Sequence, residues 1–289
     1  MSKTPVAAKG GAIATVQDGL TAFLRPEDIT QDFGRGLEGA DSQSFAVPFL
    51  RVLQKSTPVC DPDNPEYRPE AKPGHFINSV TGEVIDGKTG CYFVHCAFQR
   101  RFIAWAPRSS SESYLGDYSP SEVEAMRADG RAVEVDRRLY LRSPGDTAMP
   151  TPKTGTLLSD TRTHFGLVID PEREKMSRVV LSLSSTQIRK SRQLMAALGE
   201  AMTVVNGQPV KPPTWASLFK LTTVFEQNDE GSWYGLRVEP QGWLRDFGKL
   251  KAASIYSAGR DFWESVTRGH AQANLSDSES KVEIADGAF

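Results

Sequence analysis

Between Gly90 and Pro107 the chain runs for sixteen residues, Cys91–Ala106 (CYFVHCAFQRRFIAWA), without a glycine or a proline. Aromatic and β-branched residues dominate it, and such side chains fit a pleated, half-buried surface. The run exceeds an ordinary strand, so the sequence predicts one long strand or two strands joined by a bend. A segment of this kind needs other strands to satisfy its backbone, and the chain supplies them. His75–Ile85 alternates loosely around Thr81-Gly82 and reads as a short hairpin. Thr163–Asp170 and Met176–Ser184 flank the turn-like run Pro171–Lys175 and read as a second. Trp215–Gln227 and Ser232–Glu239 flank Asn228-Asp229-Glu230-Gly231 and read as a third.

Three helices accompany these strands. Ser119-Pro120-Ser121-Glu122 is a capping box with proline at the first helical position, and Gly130 ends the short helix that follows. Thr186–Met202 sets Ile188, Leu194, Met195, Leu198 and Met202 on one helical stripe. Arg245–His270 carries Phe247, Leu250, Ile255, Phe262, Trp263 and Val266, with Gly248 and Gly259 as weak points. Residues 142–155 form a long loop, and Ser109–Ser111 lie in another. The expected class is mainly β with appended helices (α+β). Within it an OB-like small barrel with inserted loops and a C-terminal helix is the natural candidate, although strand number alone fits other small barrels as well.

Charge is distributed unevenly. The first 44 residues hold four cations against six acids, and residues 274–289 hold one against four. The formal net charge of −2 therefore conceals a body, 45–273, of +3. Both ends are polar and poor in aromatics, so 1–44 is expected to be a mostly disordered acidic arm and 274–289 a disordered acidic tail. Apolar runs are far too short to span a bilayer, no secretory signal pattern opens the chain, and three cysteines (Cys60, Cys91, Cys96) make no paired framework. A reducing, cytoplasmic setting without membrane association is the expectation.

Several motifs invite chemistry. Gly82-Glu83-Val84-Ile85-Asp86-Gly87-Lys88-Thr89 fits the phosphate-binding pattern G-x-x-x-x-G-K-[ST]. That pattern works when a helix follows, because the helix N-terminus receives the phosphates. Here a strand-like run follows, so two tight turns joined by a short strand are expected and a nucleotide-dependent enzyme is the lesser alternative. Cys91, His95 and Cys96, with His75 nearby, resemble metal ligands, but Cys91 and Cys96 have opposite strand parity. No metal, no cofactor and no catalytic constellation is expected, and the protein is read as a non-enzyme.

Cations interleaved with flat rings are the more informative pattern. Phe98–Arg108 contains Arg100, Arg101, Arg108, two phenylalanines and Trp105, and no acid. Alternation sets Arg101, Ile103 and Trp105 on one face and Phe98, Arg100 and Phe102 on the other. Of the two arginines, Arg101 is expected to face a groove. In the third hairpin Phe219, Leu221 and Phe225, with Tyr234, Leu236 and Val238, are expected to form core faces, while Lys220, Thr222, Trp233 and Arg237 point away. Arg178 is placed similarly opposite Val179, Leu181 and Leu183. Cations that pair with phosphates beside rings that stack on bases make a groove for a single strand. The candidate nucleic-acid-binding residues are thus Arg100, Arg101, Trp105, Arg108, Arg178, Lys220, Trp233, Tyr234 and Arg237.

The tail Asn274–Phe289 ends in Asp286-Gly287-Ala288-Phe289, a form suited to hooking a partner through the Phe289 ring and nearby carboxylates such as Asp286. A tail of this kind is similar to that of bacterial single-stranded DNA-binding proteins. The segments Pro48–Pro58, Lys72–Val84 and Ala97–Trp105 resemble phage-encoded single-stranded DNA-binding proteins. The resemblance implies an OB-type core and sequence-tolerant binding of single strands in phage replication or recombination. It also implies recruitment of replication or recombination proteins through the tail. On this reading 45–245 is the nucleic-acid-binding core, 246–273 the C-terminal helix, and the host cytoplasm the setting. A strand-annealing mediator working through homo-oligomer assembly is the alternative.

Overall fold

The computed structural model describes residues 47–107, 110, 113–142, 148–151, 153–170, 175–229, 231–247 and 252–277. In chain order the strands and helices are β1 (Leu50–Val52), β2 (Phe76–Asn78), β3 (Val84–Ile85), β4 (Cys91–Trp105), β5 (Tyr114–Tyr118), α1 (Pro120–Ala128), β6 (Ala132–Val135), β7 (Arg138–Leu141) and β8 (Thr156–Asp170). They continue with β9 (Lys175–Ser184), α2 (Ile188–Glu200), β10 (Thr203–Val205), β11 (Gln208–Val210), β12 (Ser217–Asn228), β13 (Gly231–Trp243) and α3 (Ala252–Thr267). Among the described residues no helix is long and apolar enough to cross a membrane.

The glycine-free run folds as one strand. β4 and β8 are each 15 residues long and pair antiparallel from Tyr92↔Ile169 to Trp105↔Leu157. The register slips once, between His95↔Gly166 and Ala97↔Phe165, which leaves Cys96 as an extra residue. A bulge of this kind bends the strand and increases its twist. Other strands add to this ribbon at its two ends. β12 joins β4 at residues 91–93 and β13 lies outside it, while β9 flanks β8 over 161–170. At the far end β5 pairs with β4 at 102–105, and β7 followed by β6 extends from β8 at 156–158.

Each face of the ribbon has its own core. Leu50, Phe76, Cys91, Phe93, Leu181, Phe219, Leu221 and Leu236 pack with Leu194 and Leu198 of α2. Val94, Cys96, Phe165, Leu167 and Leu218 pack with Ile255, Phe262 and Val266 of α3. Cys91 and Cys96 thus belong to different cores, and burial pushes each thiol up to about 12. Among the described residues no three His, Cys, Asp or Glu side chains are grouped to hold a metal.

The mainly-β, α+β class is present, but the OB-like barrel is not closed by a continuous ladder. β1 reaches β9 only through the parallel bridge Phe49↔Val180. The outer edge of β13 meets side chains instead of a strand. The Gln54 amide accepts from Tyr234 N at 2.8 Å and donates to Tyr234 O at 2.9 Å, and Gln187 Oε1 accepts from Leu236 N at 3.0 Å. Two glutamine amides therefore stand in for strand backbone and satisfy an edge that would otherwise be open.

The capping box forms as read: Ser119 Oγ accepts from Glu122 N, and Ser119 N donates to Glu122 Oε2 at 2.7 Å. Helix α3 is shorter than the periodicity implied, so Phe247 lies outside it and Leu250 lies outside the described residues. Gly259 is no weak point. It lets the helix approach the 3-10 turn Thr214–Ala216 so closely that a Cβ there would stand 2.8 Å from Trp215 Cβ. At an exposed helical site Gly→Ala gains ~1 kcal/mol. Here Gly259→Ala is expected to lose ~1–3 kcal/mol by overpacking, read as a lower urea midpoint at unchanged slope.

Two histidines are sealed inside. His95 and His164 meet edge to face at 5.3 Å, and His164 Nε2 contacts Ser191 Oγ of α2 at 2.8 Å. Neither nitrogen of His95 has a partner among the described residues. Burial lowers His95 from 6.5 to about 4, and burial together with His95 and Arg162 lowers His164 well below its ordinary value. An unfolded chain protonates these groups near 6.5 while the folded protein does not. The unfolded state therefore binds more protons between pH 6.5 and about 4. Stability should fall as pH drops through that window, by up to ~1.4 kcal/mol per unit per histidine. Chemical denaturation from pH 8 to pH 4 tests this, and His95→Phe should flatten the slope.

Candidate nucleic-acid interface

The hairpin β12–β13 outgrows the sheet that carries it. Pairing to β4 ends at Leu221↔Cys91, whereas the hairpin ladder continues to Asn228↔Gly231. Beyond Leu221 the tip has no neighbouring strand, and the expected core position Phe225 is instead 48% exposed. Alternation set its parity correctly, but no element lies opposite to bury it.

The tip forms one wall of a groove of about 950 Å³. Phe225 and Tyr234 pair across the ladder and share one face of the hairpin, Trp233 lines the groove from the opposite parity, and β1 with the following residues Gln54–Ser56 lies beside them. The floor and far wall come from β4, β7, β8 and β9, with α1 contributing Glu124 and Arg127. Phe225 and Tyr234 meet edge to face at 5.5 Å, and Lys55 Nζ lies 6.0 Å from the Phe225 ring centre. Trp233 Nε1 donates to Glu226 Oε2 at 2.9 Å. Six cationic side chains line the groove (Arg51, Lys55, Arg100, Arg127, Arg137, Arg138) against three carboxylates, Glu124, Glu134 and Asp160.

Of the candidates read from sequence, Arg100, Trp233 and Tyr234 share this groove. Arg100 is engaged there: Nε and Nη2 donate to the two Asp160 oxygens at 2.9 and 2.8 Å, and that fork raises its pKa further. Arg101 is on the opposite face beside Asp117, Nε to Oδ1 3.3 Å, where β5 runs. Parity separated the two arginines correctly, but the groove lies on the Arg100 side.

Trp105 is corrected more sharply. It is 2% exposed and packs with Ile103, Leu275 and Tyr114, so it offers no face to a ligand. Arg178 lies 5.3 Å from the Phe262 ring on the α3 side, and Lys220 lies 4.3 Å from the Tyr92 ring. Arg237 is exposed on β13 opposite Thr222, and none of these three lines the groove. Arg108, Asp286 and Phe289 lie outside the described residues.

The phosphate-loop pattern has another explanation. Val84–Ile85 is a strand, and β4 begins at Cys91, so no helix follows. The Lys88 and Thr89 amides, which a phosphate would need, donate to Asp86 Oδ1 at 3.0 and 2.7 Å. Gly87 is required by packing, since a Cβ there would sit 1.7 Å from Gly74 O.

Residues missed by the sequence reading are Arg51, Lys55, Arg127, Arg137, Arg138 and Phe225. The β6–β7 hairpin was legible in the alternation of Val133, Val135, Leu139 and Leu141 about Asp136-Arg137. Both turn residues have positive φ, 50° and 62°, the two-residue geometry that usually selects Asn-Gly. A bulky arginine at such a position is strained, and Arg137 projects into the groove. Arg137→Gly should therefore raise unfolding free energy by ~1 kcal/mol and Arg137→Ala should not, as read from denaturant midpoints.

A protein family described as Pam3 phage gp34-like protein matches residues 17–272 of the chain. No curated protein and no solved structure matches it.

Proposed function

The chain belongs to the Pam3 phage gp34-like protein family, and we propose that within this phage-associated family it binds single-stranded DNA, without sequence selection, in the groove beside the β12–β13 tip. The observation that carries the reading is a groove lined both by three aromatic residues and by an excess of cations. Phe225, Trp233 and Tyr234 suit bases, whose faces are available only when unpaired, at ~1–3 kcal/mol per stacked base. Arg51, Lys55, Arg127, Arg137 and Arg138 suit the phosphates. Arg100 acts chiefly by holding Asp160, which otherwise would repel the backbone. The role is non-catalytic: the protein coats single strands during phage replication or recombination, and residues 274–289 recruit other proteins of those processes.

A fluorescence anisotropy titration with oligo-dT, duplex DNA and RNA tests this at two salt concentrations. Oligo-dT should bind more tightly than duplex. Its log affinity should fall against log salt by ~0.7 for each phosphate neutralised. Arg137→Gly should weaken binding and reduce that slope by ~0.7, even as it stabilises the fold. Absence of oligo-dT binding at micromolar protein, or affinity untouched by Trp233→Ala and Arg137→Gly together, would falsify the assignment.

A further inference from the structure

Trp233 is useful as a stacking platform only if its ring is held, and its place in the fold makes that difficult. The hairpin tip has no neighbouring strand beyond Leu221. A two-stranded ribbon alone is marginal in water. An indole has one polar atom, a donor, and that atom decides which way the ring turns.

Glu226 meets this requirement from three directions. It lies directly across the ladder from Trp233, and its Oε2 accepts the indole N–H at 2.9 Å. Its Oε1 is 2.9 Å from Lys190 Nζ on α2, so the carboxylate ties the tip to the body of the protein. Gln187 Nε2 approaches Oε2 at 3.5 Å, while the same amide's oxygen holds Leu236 N. Burial alone would push the carboxyl up, but bonds from Lys190, Trp233 and Gln187 outweigh it and hold the group below its ordinary value. A charged acceptor is about twice as strong as a neutral one.

The neighbouring glycine gives an independent mark of the same arrangement. Gly235 has no positive φ, so backbone geometry does not require it. A Cβ there would stand 2.4 Å from Glu226 Oε2 and 2.7 Å from Cδ. The missing side chain is the slot through which the carboxylate crosses the hairpin.

We propose that Glu226, seated in the slot left by Gly235 and anchored by Lys190, is a positioning residue that presets the Trp233 ring for base stacking. This rests on the single-strand reading of the groove. It adds that tight binding depends on a carboxylate that touches no nucleotide.

The test uses the full-length protein, fluorescein-labelled oligo-dT and intrinsic tryptophan quenching, with the Trp233 indole N–H signal followed by NMR. Glu226→Ala should weaken binding about tenfold, abolish the Trp233-dependent share of quenching and shift the indole N–H signal. Gly235→Ala should reproduce these effects by evicting the carboxylate. Glu226→Gln keeps an acceptor for the indole but loses the ion pair to Lys190, so its affinity should fall between wild type and Glu226→Ala. Adding Trp233→Ala to Glu226→Ala should cost little more, because both act through one ring. The proposal is overturned if Glu226→Ala and Gly235→Ala leave affinity and quenching intact while Trp233→Ala reduces both. It is equally overturned if Glu226→Ala weakens binding as much in the Trp233→Ala background as in wild type, since the carboxylate would then not act through that ring. If Trp233→Ala itself changes nothing, the proposal fails, and Arg137→Gly decides separately whether the groove reading stands.

Discussion

Everything in this fold is built on the antiparallel pairing of β4 with β8. Fifteen residues on each side run past one another with a single slip at Cys96. A flat ribbon of that length could not cover both faces from one chain. The bulge bends it, so that one end takes β12, β13 and β9 and the other takes β5, β7 and β6. The two cores then fill opposite faces, one under α2 and one under α3. The groove lies along the side where β9 and the far half of β4 and β8 face the hairpin tip.

Polar side chains finish what strand pairing leaves undone. Gln54 and Gln187 offer amides to the open edge of β13, and Glu226 fastens the tip to α2. A backbone edge is a liability when exposed and a rigid support when capped. The same residues that protect the edge place Tyr234 and Trp233 at the rim. Edge protection and ring placement are therefore a single arrangement, which is why groove residues are spread over 180 positions of sequence, as in the Gln54–Tyr234 pair.

Much of the architecture was legible beforehand. The long strand, the three hairpins, the Ser119 capping box and the buried Leu194 and Leu198 of α2 follow from local period and turn chemistry, whereas Met202, expected on the same stripe, lies beyond the helix and is 51% exposed. The site was less so. Alternation put Arg100 and Arg101 on opposite faces but carried no information on which face β5 would cover. Trp105 looked like a surface ring because its neighbours are arginines, yet Tyr114 of the next strand and Leu275, distant in sequence, close over it. Phe225 looked like core because Leu221 is, yet β4 ends its pairing before reaching it.

Sequence alone determined the long strand, three of the hairpins, the helices, the side-chain parity along those strands and the sense that cations and rings alternate. Those properties depend on residues within a few positions of one another, so no partner is needed to fix them. Only the tertiary structure decided which parities are open to solvent. It also decided that Gly87 serves packing against Gly74 rather than a phosphate, and that Trp233 is held by a carboxylate while Trp105 is buried. Each of those outcomes depends on which distant strand, loop or helix arrives opposite, and long-range pairing leaves no mark in the local pattern.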